Sequence, residues 1–342
     1  MARVDMTGTE HGGTGGTRSG SRDRFRSALG RLRRDPGIWR RGIVLALCAL
    51  VLTLLMAFHA QIPNRVGNLG SLTETFLPWL GLFVPVLLLL ALLRRSATAL
   101  LALLLPAVVW LNLFGGLVAD KSAPGGDLTV ATHNVNADNP DPAGTARLLA
   151  GSGADVLALE ELKADVVPVY ERELAEEYPY HSVQGTVGLW SRLPLRDPRP
   201  VDIHMGWTRA MQATVVAPRG ELRVYVAHLP SVRVKLNAGF TANQRDTSAD
   251  ALGQAIANDR APRIVLLGDL NGTMNDRALN AVTSQLRSTQ GAAGDGFGFS
   301  WPASFPMARI DQILVRGVEP VSSWALPETE SDHLPLAARV TF

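Results

Sequence analysis

The chain reads as an α/β domain preceded by three membrane-crossing helices. Three observations predict this. Apolar, β-branched runs alternate with amphipathic stretches through the second half, long apolar runs fill much of the first, and the second-half runs end repeatedly in Asp, Asn, Glu or His.

The elements follow in chain order. Residues 1–41 are rich in Gly, Thr, Ser and Arg without apolar periodicity, the signature of a disordered tail. Ten Arg against four acids give that tail about +6. Ile43–His59, Phe76–Leu93 and Ala97–Val118 are then apolar throughout, with no polar stripe at helical period. Each approaches the ~20 residues needed to cross a bilayer, so residues 42–119 are expected to form three transmembrane helices. A cleavable signal peptide does not fit the first run, because a long tail precedes it and two further runs follow.

Arginine placement orients these spans. Arg31, Arg33, Arg34, Arg40 and Arg41 precede the first, and Arg94 with Arg95 separates the second from the third. Both clusters belong in the cytoplasm, which leaves the second half outside it. Asp120–Gly126 is a short linker, and residues 127–342 form the exported domain. That domain is acidic, with nineteen Lys and Arg against twenty-five Asp and Glu. A polyanion-binding nuclease usually carries a basic footprint, and here the basic charge lies across the membrane from the domain. The single cysteine, Cys48, falls in the first span, so the exported domain needs no disulfide.

In the second half, strands are expected at Leu128–Asn136, Ala154–Leu162, Val224–Ser231, Arg263–Asn271 and Arg309–Val315, with Ser331–Leu336 presenting a last polar edge. Thr208–Val215 should pair antiparallel with Leu222–His228. Ala143–Leu149, Val167–Leu174 and Gln244–Ala257 read as helices. Gly268 is expected to end its strand, with Asp269 and Asn271 pointing the same way beyond it. A carboxylate beside an amide suits a hard cation and a phosphate oxygen. Asn134, Glu160, Glu161, His228, Asp311, Asp332 and His333 add similar groups at other strand ends, the residue types of metal-assisted phosphoester hydrolysis.

In order, these fragments resemble the endonuclease/exonuclease/phosphatase superfamily over roughly Asp127–Phe342. Gly-Asp-Leu-Asn at Gly268–Asn271, the Ile-Asp at Ile310–Asp311 and Ser-Asp-His at Ser331–His333 carry the resemblance together. It implies a DNase I-like four-layer sandwich, two packed sheets flanked by helices. It also implies Mg2+ or Mn2+ held by Glu161, with Asn134 and Asp332 beside it, and phosphate contacts from Asn134, Asn271 and Arg209. Asp269 would polarise or deprotonate the attacking water. His228 and His333 would bracket the phosphate, and as histidines they are the groups expected to titrate near neutral pH. Asp311 and Asp332 would orient or charge these imidazoles, or touch the cation. Glu160 stands where the family pattern has Gln, and either strengthens cation binding or faces away. His133 should point opposite to Asn134 and stay outside the site, and nothing around His204 promotes it.

The whole layout resembles actinobacterial membrane proteins of the teicoplanin-resistance type. That implies a phosphoester substrate linked to a membrane lipid, such as a cell-wall carrier. A surface nuclease is the alternative, served by the basic–apolar stretch Ser231–Phe240; a sensor that has lost activity is a third. No Ser or Cys nucleophile motif is present.

Overall fold

The computed structural model describes residues 37–64, 67–235 and 239–342. The expected tail lies almost wholly outside the described residues, and the Ser231–Phe240 stretch partly so.

Alternation along each strand builds the layers. In β1 (Leu128–Asn134) and β2 (Val156–Glu160), Val130, Val156 and Ala158 face one way while Ala131, Leu157 and Leu159 face the other, and all are buried. A strand apolar on both faces must be covered on both. β1 and β2 join β3 (Tyr180–Gln184), β4 (Val187–Ser191), β13 (Glu319–Ala325) and β14 (Leu336–Thr341) in a mixed six-stranded sheet, order β13-β14-β1-β2-β4-β3. A second six-stranded sheet runs β11-β12-β10-β7-β6-β5. Its strands are β5 (Leu195–Pro200), β6 (Ala210–Ala217), β7 (Gly220–Ala227), β10 (Ile264–Asp269), β11 (Arg287–Ser288) and β12 (Asp311–Arg316). The minor pair is β8 (Arg233–Lys235) with β9 (Gly239–Thr241).

The sheets meet through Val130, Ala158, Leu189, Met211, Val224, Val265 and Ile313. The outer face of the first packs Leu149 and Tyr170 from helices Pro142–Ala150 and Val167–Leu174. The outer face of the second packs Leu252 and Ile256 from helix Asn243–Asn258. This is the expected four-layer arrangement. Each Leu or Val withdrawn from water contributes ~1.5–3 kcal/mol.

Gly268 departs from expectation. It stays inside β10, paired with Gln312, and the strand runs on to Asp269. Its φ is +141°, and a Cβ there would stand 2.0 Å from the Ala227 carbonyl oxygen. The glycine therefore permits close approach of β7 and β10 rather than a turn.

The first half also needs correction. All three apolar runs are helical, but only Ala97–Val118, 22 residues, is by itself long and apolar enough to cross a membrane. Ile43–Ala57 has 15 residues, and at a rise of ~1.5 Å each it falls short of a ~30 Å hydrocarbon layer. The second run begins as a tight 3-10 segment, Leu77–Leu82, before the helix Phe83–Leu93, and it bends by 70° from the helix Leu69–Thr75. Pro78 near the start of the tight segment helps explain the break, since it has no N–H to continue a helix from the preceding turn.

The apolar segment is docked on the sandwich. Glu74, fully buried, lies 3.6 Å from His59 Nδ1 and 3.8 Å from Arg277 Nε. Arg277 also donates to the carbonyls of Ala60 and Ile62. The linker is tied down too, through Ala123 N to the Val321 carbonyl at 2.8 Å.

Candidate active site

The topology gathers the chemistry at one end of the sandwich. Asn134 ends β1, Glu161 follows β2, His228 follows β7 and Asp269 ends β10, while Asp311 begins β12 and His333 precedes β14. Parallel pairing of β1 with β2, and of β7 with β10, sends four of these positions out at one edge. Antiparallel pairing sets Asp311 directly opposite Asp269.

Asp269 is the hub, and it is buried. Its Oδ2 accepts from Asn134 Nδ2 at 3.0 Å and Asn271 Nδ2 at 3.1 Å, and its Oδ1 accepts from the Asn271 N–H at 2.8 Å. Asp269 and Asn271 meet as expected, though by a turn rather than strand alternation: Asn271 lies beyond β10 with φ +47°. Burial, with the neighbouring Asp311 charge, raises the Asp269 carboxyl to about 7, against the pull of His333 and the amide donors.

His333 Nδ1 contacts Asp311 Oδ2 at 2.9 Å, and Ser300 Oγ donates to the same carboxylate at 2.6 Å. Burial opposes the His333 charge, but Asp311 beside it outweighs burial and carries the imidazole up to about 10. Burial likewise opposes the Asp311 charge, and the His333 cation with these hydrogen bonds holds that carboxyl below its ordinary range. His228 goes the other way. Burial, then the Arg209 cation, pushes it well below the usual histidine range. Arg209 Nη2 lies 2.6 Å from Nδ1 and 2.5 Å from Nε2 of that ring, and a guanidinium can only donate. The two histidines are thus split, one charged and one neutral, and neither titrates near neutrality as expected from sequence. Asp269 is the group that does.

Glu161 sits just beyond β2 with φ +63°, a conformation costing ~1–3 kcal/mol for a non-glycine residue. Its Oε2 accepts from Ala137 N at 2.9 Å, and its Oε1 lies 3.5 Å from His228 Nε2. Asp269 Oδ2 lies 3.7 Å from the same nitrogen. Asp332 is exposed on the rim, its Oδ2 accepting from Trp301 Nε1 at 3.4 Å. Glu160 faces inward with Val156 and Ala158. Thr132 Oγ1 donates to it at 2.8 Å, and burial raises its carboxyl well above the ordinary range. A neutral buried acid does not reinforce a cation. His133 is buried outside the pocket against Thr329, and His204 is exposed.

Sequence reasoning missed four contributors. Ser300 steadies Asp311, Trp301 reaches Asp332, and Thr75 with Phe76 joins Glu161, Asp269 and His333 in lining a pocket of about 410 Å3. Phe76 opens the second apolar run, and no local pattern in the sequence separates it from that run.

Ligand atoms of Asp269, Asp311 and His333 lie within 4.8 Å of one another. Asp311 keeps the His333 ring protonated, and an imidazolium has no lone pair to give, so as it stands the trio is better suited to holding a proton than a metal. The oxygens of Glu161 and of Asp332, which line the same pocket, are the hard donors that a divalent cation takes.

The model of the Endonuclease/Exonuclease/phosphatase family matches residues 131–333, over half of the chain and all of these positions except the Thr75–Phe76 wall. The chain belongs to that family. As an endonuclease/exonuclease/phosphatase family protein it is a phosphoesterase hydrolase with a buried Asp and His cluster. Solved structures share its fold. The endonuclease/exonuclease/phosphatase of Beutenbergia cavernae superposes with TM-score 0.52 at 19% identity, over 64% of this chain and 72% of that one. D. rerio TDP2, complexed with single strand DNA product, gives 0.53 at 18% identity, over 63% and 99%. The family member from Bacteroides vulgatus gives 0.53 at 17%, over 64% and 100%. No curated protein matches the chain.

Proposed function

We propose that this chain is a membrane-anchored, divalent-cation-dependent phosphoesterase acting on a lipid-linked phosphate or pyrophosphate, such as a cell-wall carrier, at the outer leaflet. The observation that carries this reading is the wall of the catalytic pocket. Thr75 and Phe76 come from the apolar segment, so the bond-breaking groups open beside the helices that would lie in the bilayer.

Surface character supports it. Among the described residues, every exposed large hydrophobic except Tyr180, Trp207 and Phe305 lies between Ile38 and Val118. A soluble surface rarely carries so broad an apolar field. Arg94 Nε donates to the Arg41 carbonyl at 2.9 Å, so two basic clusters meet at one end of the helices. The other end meets the sandwich through Glu74 and Arg277. That polarity agrees with three crossings, basic end in the cytoplasm and catalytic domain outside.

In the reaction, water attacks phosphorus in line. Asp269, raised to about 7, takes the proton from that water near neutral pH. Asn134 and Asn271 fix the acceptor oxygen through their amides, and Asn271 with Arg209 faces the phosphate oxygens. His333, kept cationic by Asp311, stabilises developing negative charge or protonates the leaving group. Glu161, with Asn134 beside it and Asp332 at the rim, would hold Mg2+ or Mn2+, which supplies charge neutralisation at the phosphate.

The nuclease alternative draws on the DNA product bound to the D. rerio relative. The two separate in one assay. Full-length protein in vesicles with Mg2+ should release phosphate from polyprenyl pyrophosphate and leave plasmid DNA intact. DNA cleavage with steep inhibition by salt, and no lipid hydrolysis, would reverse the assignment.

A further inference from the structure

We propose that the apolar cleft beside the catalytic pocket binds the hydrocarbon tail of the substrate, so that head and tail are gripped together; this rests on the lipid-phosphate reading above. The cleft, of about 490 Å3, lies between the helices and the sandwich, lined by Trp79, Val84, Ala107, Trp110, Phe297 and Phe299. A recess of about 350 Å3 shares Pro78, Phe297 and Phe299 with it, and shares Thr75 with the catalytic pocket. Shared walls thus make the three spaces neighbours, with Asp269 and His333 lining the first and Leu82 and Leu111, exposed on the helices, lining the last.

The cleft is built, rather than left over between two bodies. Phe297 and Phe299 stack at 5.1 Å, Trp79 stacks on Phe299 at 5.6 Å, and Trp110 meets Phe297 at 6.2 Å. Gly298, at φ +59°, separates the two phenyls, and a Cβ there would stand 2.6 Å from Arg309 Nη1. The indole N–H groups are tied off: Trp79 Nε1 donates to the Met307 carbonyl at 2.7 Å and Trp110 Nε1 to the Pro78 carbonyl at 2.9 Å. The aromatic faces are thus left as carbon walls.

Chemistry selects the occupant. No charged side chain lines the cleft itself, and Arg309 in the adjoining recess is buried and donates to the Gly298 carbonyl, so a sugar–phosphate backbone would find no counter-charge in the cleft. A flat protein epitope would not fill recesses set between the helices and the sandwich. An isoprenoid or acyl chain already immersed in lipid exchanges one apolar surrounding for another there, needs no polar partner, and is held by packing against the aromatic walls.

The test uses full-length protein in phosphatidylcholine vesicles, with a long-chain polyprenyl diphosphate, farnesyl diphosphate and a soluble aryl phosphoester. Wild type should favour the long chain over farnesyl by about tenfold or more in kcat/KM, since the longer tail makes more packing contacts with the aromatic walls. Ala107→Trp, which fills the cleft, should erase that preference through KM and leave the aryl ester within about twofold, because Ala107 touches no reacting group. If Ala107→Trp disturbs folding, a diazirine at the tail of the long substrate provides the second measurement on wild type, labelling peptides with Trp110 or Phe297. Long-chain hydrolysis with the preference intact in a folded Ala107→Trp protein, or labelling only elsewhere, would overturn the tail site and leave the lipid-phosphate reading standing. Hydrolysis of the aryl ester but of neither polyprenyl diphosphate would overturn both.

Discussion

The sandwich and the helices before it solve opposite problems with similar residues. In the sandwich, Leu, Val and Ile face inward from both sides of each sheet, as Val265 and Leu266 do in successive positions of β10. Between Ile38 and Val118 the same residue types face outward, Leu93 and Val108 among the most exposed. Water drives the first arrangement, whereas the second is stable only where something other than water covers it. The catalytic pocket lies where the two meet, and its wall draws on both.

The largest effects should come from the polar edge of the sandwich. Asp269→Asn should cost about 10^3-fold in kcat/KM on a soluble phosphoester, in the range of lost acid–base catalysis, with the far-UV circular dichroism unchanged. Residual activity within tenfold of wild type would remove Asp269 from the proton step. Glu161→Gln should lose about 10^2-fold and recover partly at raised Mg2+; full activity of the wild type in excess EDTA would refute the cation requirement.

Burial contrasts the two regions next. Leu267→Ala, in the inter-sheet core, should destabilise by about 2–5 kcal/mol, whereas Leu104→Ala, exposed on the third helix, should leave the unfolding of the sandwich unchanged. Equal losses in thermal unfolding would mean that the helix surface is packed after all. Arg277→Ala should cost about 2 kcal/mol through its buried partner Glu74. Its sign would be faster proteolysis between residues 59 and 76 with the sandwich still folded.

The pH dependence is the finest probe. Asp269 must lose its proton to act as base, so the rate should climb as pH passes about 7, and added Mg2+ should shift that rise to lower pH. His333 works in the opposite sense. Its folded value, about 10, lies above the ordinary 6.5, so its stabilising contribution is complete below about 6.5 and lost as pH rises through 10. Asp311→Asn should bring the His333 titration down toward the ordinary value, read by NMR of the ring protons. An unchanged His333 would remove the pair as the cause.

Much of the sandwich was legible because its strands announce themselves twice, as apolar runs and as polar residues just beyond them. Helix Val167–Leu174 fell at its expected bounds, and Asn243–Asn258 within a residue at each end. The site's members were also legible, since strand ends expose whatever follows the apolar run. Their ionisation was not. His228 and His333 look alike in sequence, and only tertiary packing gives one an arginine and the other an aspartate. Gly268 misled because glycine marks both turns and close backbone contacts. The role of Thr75 and Phe76 was hidden for a different reason: an apolar stretch shows that it avoids water, without showing what it leans on.

Topology decides whether pocket and bilayer meet as the account requires. A dual reporter, scoring on opposite sides of the membrane, should be fused in turn after Phe342 and after Arg95. The signal should be extracytoplasmic at Phe342 and cytoplasmic at Arg95. A cytoplasmic signal at Phe342 would contradict that topology, placing the Asp269 pocket on the inner side with no access to an outer-leaflet phosphate.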